Sequence, residues 1–359
     1  MSKEYVEKVE SSPSIYTITR GETRNLNVYY SVPDRGVDKE TGVLLLIPGY
    51  GGHANSNVYK KMRRLFPDQY NLIVVQCDYF GWEFMQDVNE GQLISLINQA
   101  QISFAPSPEE CSLVLPVNLS ETLQNYNDMG PVQVMDLMNA LKLVSEEYDG
   151  FNRSKVIAYG HSHGAYLALF CNILMPRLFS TVIDISGMLF PVYLDSSKMF
   201  RQLTHELICT DQATGKRTRL MVGARFDYLN SKICQDVALY DLVRWYGLRN
   251  NLAKIITFQG AGDTMVPSES KKDFLSRIDR ATCVMVNESM VDRRMFYSTE
   301  HGCGADYLEL FRHVWETYDL TSEHECCVLE DQLLETDSFR YDICRLADRM
   351  RMFVTSRSC

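Results

Sequence analysis

The sequence predicts an α/β protein whose central sheet is mostly parallel, with helices on both of its faces. Short apolar runs recur at residues 43–47 (VLLLI), 72–76 (LIVVQ), 156–159 (VIAY), 181–185 (TVIDI), 255–258 (IITF) and 282–286 (TCVMV). Continuous runs of this kind suit strands covered on both faces, which is the habit of parallel sheets. Segments with helical periodicity fill several gaps between them, and strand alternating with helix is the signature of a parallel sheet wrapped in helices. One of the runs also passes straight into Gly-x-Ser-x-Gly and then into an apolar helix.

Each element follows in order. Residues 1–14 (MSKEYVEKVESSPS) read as a charged leader without the apolar core of a signal peptide. Residues 15–32 hold two β-rich runs split by Arg20-Gly21-Glu22-Thr23, a hairpin signal that would place antiparallel strands at one edge of the sheet. After the runs at 43–47 and 72–76, residues 82–130 form too long a gap for a simple crossover. Residues 131–148 open with Pro131 and continue as a helix with apolar positions at i, i+3 and i+4. The 156–159 run leads to a buried helix over 164–175, then to the 181–185 run. A second long gap, 188–252, contains an amphipathic stretch at 236–246 (DVALYDLVRWY). Long structureless loops are uncommon, so both gaps are expected to carry helices of their own, as helical cap insertions over one end of the sheet. The 255–258 run, an amphipathic helix over 268–278, the 282–286 run and a helix over 305–318 complete the main pattern. The tail, 319–359, reads as an acidic stretch, then Phe339-Arg340-Tyr341, then a helix through Met352. It is expected to be a packing extension of a single domain spanning 1–359.

Composition narrows the function. With 359 residues, 45% of them hydrophobic, the chain can bury a sizeable core and is not disordered. The net charge of −10 and the absence of a basic run argue against a nucleic-acid partner. Eleven cysteines are an odd number, scattered from Cys77 to Cys359 without a CxxC pair, and Cys326-Cys327 are adjacent. No disulfide framework is expected, and a cytoplasmic location follows as the expectation. No stretch approaches the ~20 apolar residues that would span a bilayer.

The chemistry is concentrated in four motifs. Residues 156–166 run from strand through Gly160-His161-Ser162-His163-Gly164 into helix. A serine on such a turn is held in a strained backbone with its hydroxyl exposed, and the flanking glycines remove Cβ atoms that would collide with the turn. Ser162 is therefore the candidate nucleophile. The amide of His163, at the start of the helix, is a candidate donor to an oxyanion. The pair His161 and His163 also raises a metal site, but no further ligand cluster accompanies it, and neither metal nor cofactor is expected. Pro48-Gly49-Tyr50-Gly51-Gly52 follows the first strong strand and would supply a second oxyanion amide, from Tyr50 or from Gly51. Asp263 ends the 255–258 strand within Gly-Ala-Gly-Asp, where a carboxylate can orient an imidazole. Asp184, Asp227 and Asp306 lack that combination of strand end and turn. His301 lies on a loop in Glu300-His301-Gly302-Cys303-Gly304, a poor setting for a core residue, and completes a Ser-Asp-His order.

The order Ser162, Asp263, His301, with all four motifs on the expected elements, resembles the α/β-hydrolase superfamily over about residues 40–318. The whole chain, including Asp78-Tyr79-Phe80-Gly81, is similar to a poorly characterised bacterial family of such proteins. The resemblance implies a two-step acyl transfer to water, with a small-molecule acyl substrate and a carboxylic (acyl or acetyl) ester as the first expectation. A peptidase or amidase of the prolyl-oligopeptidase type, an acyltransferase or thioesterase, and a binding protein on a hydrolase scaffold are the alternatives. Residues 79–130 and 188–250 would line the pocket, with Tyr79 a candidate substrate contact.

Overall fold

The computed structural model describes residues 2–15, 23–86, 110–117, 121–122, 124–191, 194, 204–210, 214–215, 217–226, 234 and 236–357. The six apolar runs form strands: β3 (Gly42–Ile47) and β4 (Leu72–Cys77), then β6 (Val156–His161), β7 (Thr181–Ile185), β10 (Lys254–Gly260) and β11 (Ala281–Val286). Two N-terminal strands, β1 (Lys3–Ser11) and β2 (Arg24–Val32), extend them to an eight-stranded sheet ordered β1-β2-β4-β3-β6-β7-β10-β11. Pairing is antiparallel for β1 with β2 and for β2 with β4, and parallel from β4 to β11.

Strand β3 shows why these runs are apolar throughout. Val43, Leu45 and Ile47 enter one core cluster, while Leu44 and Leu46 enter the other, so alternate side chains serve opposite faces of the sheet. On the first face lie helices α2 (Pro131–Glu147) and α3 (His163–Leu174), and α5 (Ser268–Ser276) contributes Phe274 and Leu275. On the second face lie α1 (Asn57–Tyr70), with Met62 and Phe66, and α6 (Tyr307–Thr317), with Leu310 and Phe311. Every residue of α3 is buried, so it needs no polar face.

Four local readings of the sequence change. The charged leader is strand β1, paired with β2 from Lys3↔Val32 to Ser11↔Arg24. It is an edge strand with most of its side chains exposed, so no apolar alternation marks it. The expected turn at 20–23 falls largely on residues 16–22, which lie outside the described residues. Helix α1 had no sequence assignment, because Pro67 sits inside its last turn. The 236–246 stretch is not one helix: a 3₁₀ turn (Val237–Tyr240) precedes α4 (Leu242–Leu248). Asp236 accepts from the Ala238 amide and Asp241 from the Arg244 amide, so each aspartate starts a separate turn.

The tail is the fourth. No helix runs through Met352; instead β12 (Gln332–Glu335), β13 (Phe339–Arg345) and β14 (Met350–Ser356) form an antiparallel sheet. In β13, Tyr341 and Ile343 are buried between less buried neighbours, which is the two-residue period of a strand, while Met350, Arg351 and Met352 of β14 are all buried. This sheet is tied to α2. Asn139 accepts from the Met350 amide at 2.6 Å and also donates to Ser11 of β1, and the Lys142 ammonium donates to the Ala347 carbonyl at 2.8 Å. Within the two insertions, β5 (Glu110–Val117) pairs parallel with β9 (Arg217–Phe226), and β8 (Thr204–Thr210) pairs antiparallel with β9. The expected helical insertions thus contribute strands as well as α4 among the described residues; residues 87–109 and 195–203 lie outside them.

Candidate active site

Ser162 occupies the junction between β6 and α3, at φ 53° and ψ −118°. Positive φ at a residue with a Cβ is a strained state that persists only when its surroundings enforce it. Here the enforcement is visible. The Ser162 amide donates to the Ile185 carbonyl at 2.8 Å, and its own carbonyl accepts from Tyr166 at 3.0 Å. A Cβ on Gly160 would lie 2.5 Å from the Gly164 carbonyl oxygen, and one on Gly164 would lie 2.5 Å from that of Pro48. Only glycines permit the strand, the helix start and the Pro48 turn to approach this closely.

The Ser162 hydroxyl lies 2.7 Å from His301 Nε2, and His301 Nδ1 lies 2.9 Å from Asp263 Oδ2. Asp263 is enclosed by donors: the amides of Met265 and Val266 reach Oδ1, both at 2.9 Å, and the Gln259 side-chain amide reaches Oδ2 at 2.8 Å. Burial acts to raise the Asp263 pKa, but the His301 contact, the Val266 amide and Gln259 outweigh it and hold the carboxyl below its ordinary range. An anionic Asp263 accepts a hydrogen bond from the Nδ1–H of His301, which keeps the proton on Nδ1 and leaves Nε2 as the acceptor facing Ser162. His301 itself sits on a tight 3₁₀ turn, His301–Gly304, in which Gly302 has φ 75°.

The other predicted residues divide. The His163 amide opens α3, where first-turn amides have no partner within the helix. Its ring points elsewhere: Nε2 meets Gln133 Oε1 at 2.7 Å, and burial pushes its pKa down to about 3. His161 does not converge with it. That ring lies tilted against those of His301 and Tyr307, with centroids 6.1 and 5.3 Å away, and desolvation, reinforced by His301, pushes its pKa down to about 3. Both imidazoles are neutral at neutral pH. Gly51 is corrected as an oxyanion donor, because its amide already donates to the Met85 carbonyl at 2.9 Å. Tyr79 is corrected as a substrate contact. It is 1% exposed, and its hydroxyl donates to the Pro48 carbonyl at 2.8 Å, bracing the turn that carries Tyr50.

The rival carboxylates are otherwise engaged. Asp184 is fully buried and paired with the equally buried Lys271 at 2.6 Å. Asp306 caps α6, accepting from the amides of Leu308 and Glu309. Asp227 lies outside the described residues. Sequence reasoning missed Gln259, although a glutamine inside an otherwise apolar strand run is a readable anomaly. It also missed Ser186, which carries no motif at all.

A family model described as a protein of unknown function (DUF2920) matches residues 83–317. The chain belongs to the DUF2920 family. No curated protein matches this DUF2920 sequence. Among solved structures it is similar to an acylaminoacyl peptidase in complex with Z-Gly-Gly-Phe-chloromethyl ketone, with a TM-score of 0.52 and 12% identity, covering 90% of this chain and 43% of that one. The acylaminoacyl peptidase of Pyrococcus horikoshii gives a TM-score of 0.50 at 10% identity, covering 90% and 42%. Est1E from Butyrivibrio proteoclasticus gives 0.48 at 10%, covering 86% and 96%. The DUF2920 chain thus spans less than half the length of the peptidases and nearly all of Est1E. It has the α/β-hydrolase fold. Among its described residues, no helix is long and apolar enough to cross a membrane.

Proposed function

We propose that this protein is a serine hydrolase that cleaves a carboxylic ester through an acyl-enzyme on Ser162. One observation carries the reading: the strained Ser162 at a helix start, 2.7 Å from an imidazole whose far nitrogen is 2.9 Å from a buried carboxylate. In the proposed first step, Ser162 Oγ attacks the ester carbonyl carbon while His301 Nε2 takes its proton. The amides of His163 and Tyr50 hold the oxyanion. The imidazolium, stabilised by Asp263, passes the proton to the departing alkoxide. Water, deprotonated by His301, then attacks the acyl-enzyme, and Ser162 recovers the proton as the acid is released.

The substrate is a small acyl compound in this reading, and the two insertions are the candidate cap. They leave the sheet after β4 and β7, at the same strand ends that bear Ser162 and Asp263. The decisive experiment is labelling by a fluorophosphonate probe, with Ser162→Ala as control. Wild type should label and Ser162→Ala should not, with ester hydrolysis falling by about 10⁴-fold or more. An unlabelled wild type would sink the proposal. Turnover of p-nitrophenyl esters against aminoacyl amides then separates esterase from peptidase.

A further inference from the structure

The end of β7 and the turn that follows it have no part in the chemistry described, yet they bond to Ser162, to strand β10 ahead of Asp263 and to the His301 loop. Strand β7 lies between β6, which leads to Ser162, and β10, which leads to Asp263. The Ile185 carbonyl accepts from the Ser162 amide at 2.8 Å. The next residue, Ser186, donates its amide to the Phe258 carbonyl of β10 at 3.0 Å. Its side-chain oxygen accepts from the Gly302 amide, also at 3.0 Å, immediately after His301. Ser186 is fully buried and sits at φ 50°. A buried residue kept in that conformation is one that its surroundings hold in place.

What holds it is a fixed charge network underneath. Asp184 accepts from the Gly187 amide at 2.7 Å and from Thr257 at 2.8 Å. The Lys271 ammonium bridges Asp184 and the Gly187 carbonyl, at 2.6 and 2.7 Å. The turn is therefore rigid on the side away from the site, and the Ser186 hydroxyl is its contact with the His301 loop.

We infer that Ser186 is a positioning residue: its hydroxyl oxygen, by holding the Gly302 amide, sets His301 between Ser162 and Asp263. The inference rests on the serine-hydrolase reading above. Losing the bond lets the His301–Gly304 turn drift relative to Ser162, and misplacement of a catalytic group by about 1 Å costs on the order of 100-fold in rate. The test is the second-order rate of fluorophosphonate labelling, with kcat and KM for p-nitrophenyl acetate and each variant's melting temperature measured beside it. Ser186→Ala should label roughly 10- to 100-fold more slowly while still folded. Ester turnover should lose kcat at a nearly unchanged KM, because a displaced imidazole acts in the transition state and not in substrate binding. Ser186→Gly relieves the positive φ but also lacks the oxygen, so it should be slowed by a similar factor. It decides the matter if the alanine variant does not fold. Wild-type labelling rates in both variants, or in the glycine variant alone, overturn the inference and leave the hydrolase reading standing. An unlabelled wild type overturns both.

Discussion

Replacing Asp263 with asparagine changes one atom and should nearly abolish acylation of Ser162. The surrounding donors dictate how the new amide must lie. Oδ1 receives the Met265 and Val266 amides, both at 2.9 Å, so the asparagine oxygen has to stay there. Its NH₂ group then occupies the place of Oδ2, facing His301 Nδ1. The Gln259 side-chain amide, now donor against donor, is anchored by its bond to the Val266 carbonyl at 2.9 Å and resists turning over. A donor facing Nδ1 forces the imidazole proton onto Nε2, and Nε2 can no longer accept the proton of Ser162. The expected loss is about 10⁴-fold in acylation rate, or roughly 5.5 kcal/mol of barrier. Fluorophosphonate labelling of Asp263→Asn against wild type at pH 7 measures it. A variant that labels within tenfold of wild type would refute the tautomer argument.

Two further outcomes are expected. A Cβ at Gly302 would collide with the His161 ring at a position of φ 75°, so Gly302→Ala should displace His301 and slow labelling by about 100-fold. Adding His161→Ala clears the space, and the double variant should recover part of that loss; equal rates for the two would reject the steric account. Asp128 concerns stability rather than rate. Its burial pushes the carboxyl up to about 7, so the folded chain keeps a proton that the unfolded chain releases. Its contribution is complete below the ordinary carboxylate range and is lost as pH rises toward 7. Asp128→Asn should therefore flatten the decline in melting temperature between about pH 4 and 8; an unchanged slope would contradict the assignment.

The parallel sheet was legible because each of its strands is buried on both faces and so is apolar at every position, as in β3. Ser162, Asp263 and His301 could be named because each follows a buried strand and has glycines beside it. The structure brings the three within hydrogen-bond reach. Elements that answer to other constraints were not legible. Strand β1 is held by backbone pairing and displays charge to solvent, while in the tail only β13 alternates, too briefly to stand out from helical spacing, and β14 opens with three buried residues in a row. Ser186 and Gln259 escaped for a different reason. Their roles depend on β7 lying beside β10 and on the His301 loop folding back over both, relations that no local pattern encodes. Gly51 and Tyr79 were misjudged likewise, since the partners that occupy them, Met85 and Pro48, come from other loops.

The Asn139 side chain has a bearing on when the molecule can finish folding. Its amide reaches Ser11 and its oxygen receives the Met350 amide, positions 128 and 211 residues away along the chain. A polypeptide leaving the ribosome can assemble β1 against α2 early, but it cannot close the second bond until residue 350 has emerged. Pairings of such long sequence separation are slow to form. During synthesis, the face of α2 that the last strands will cover therefore waits exposed, and that interval is when the nascent protein is most open to chaperones and to premature association.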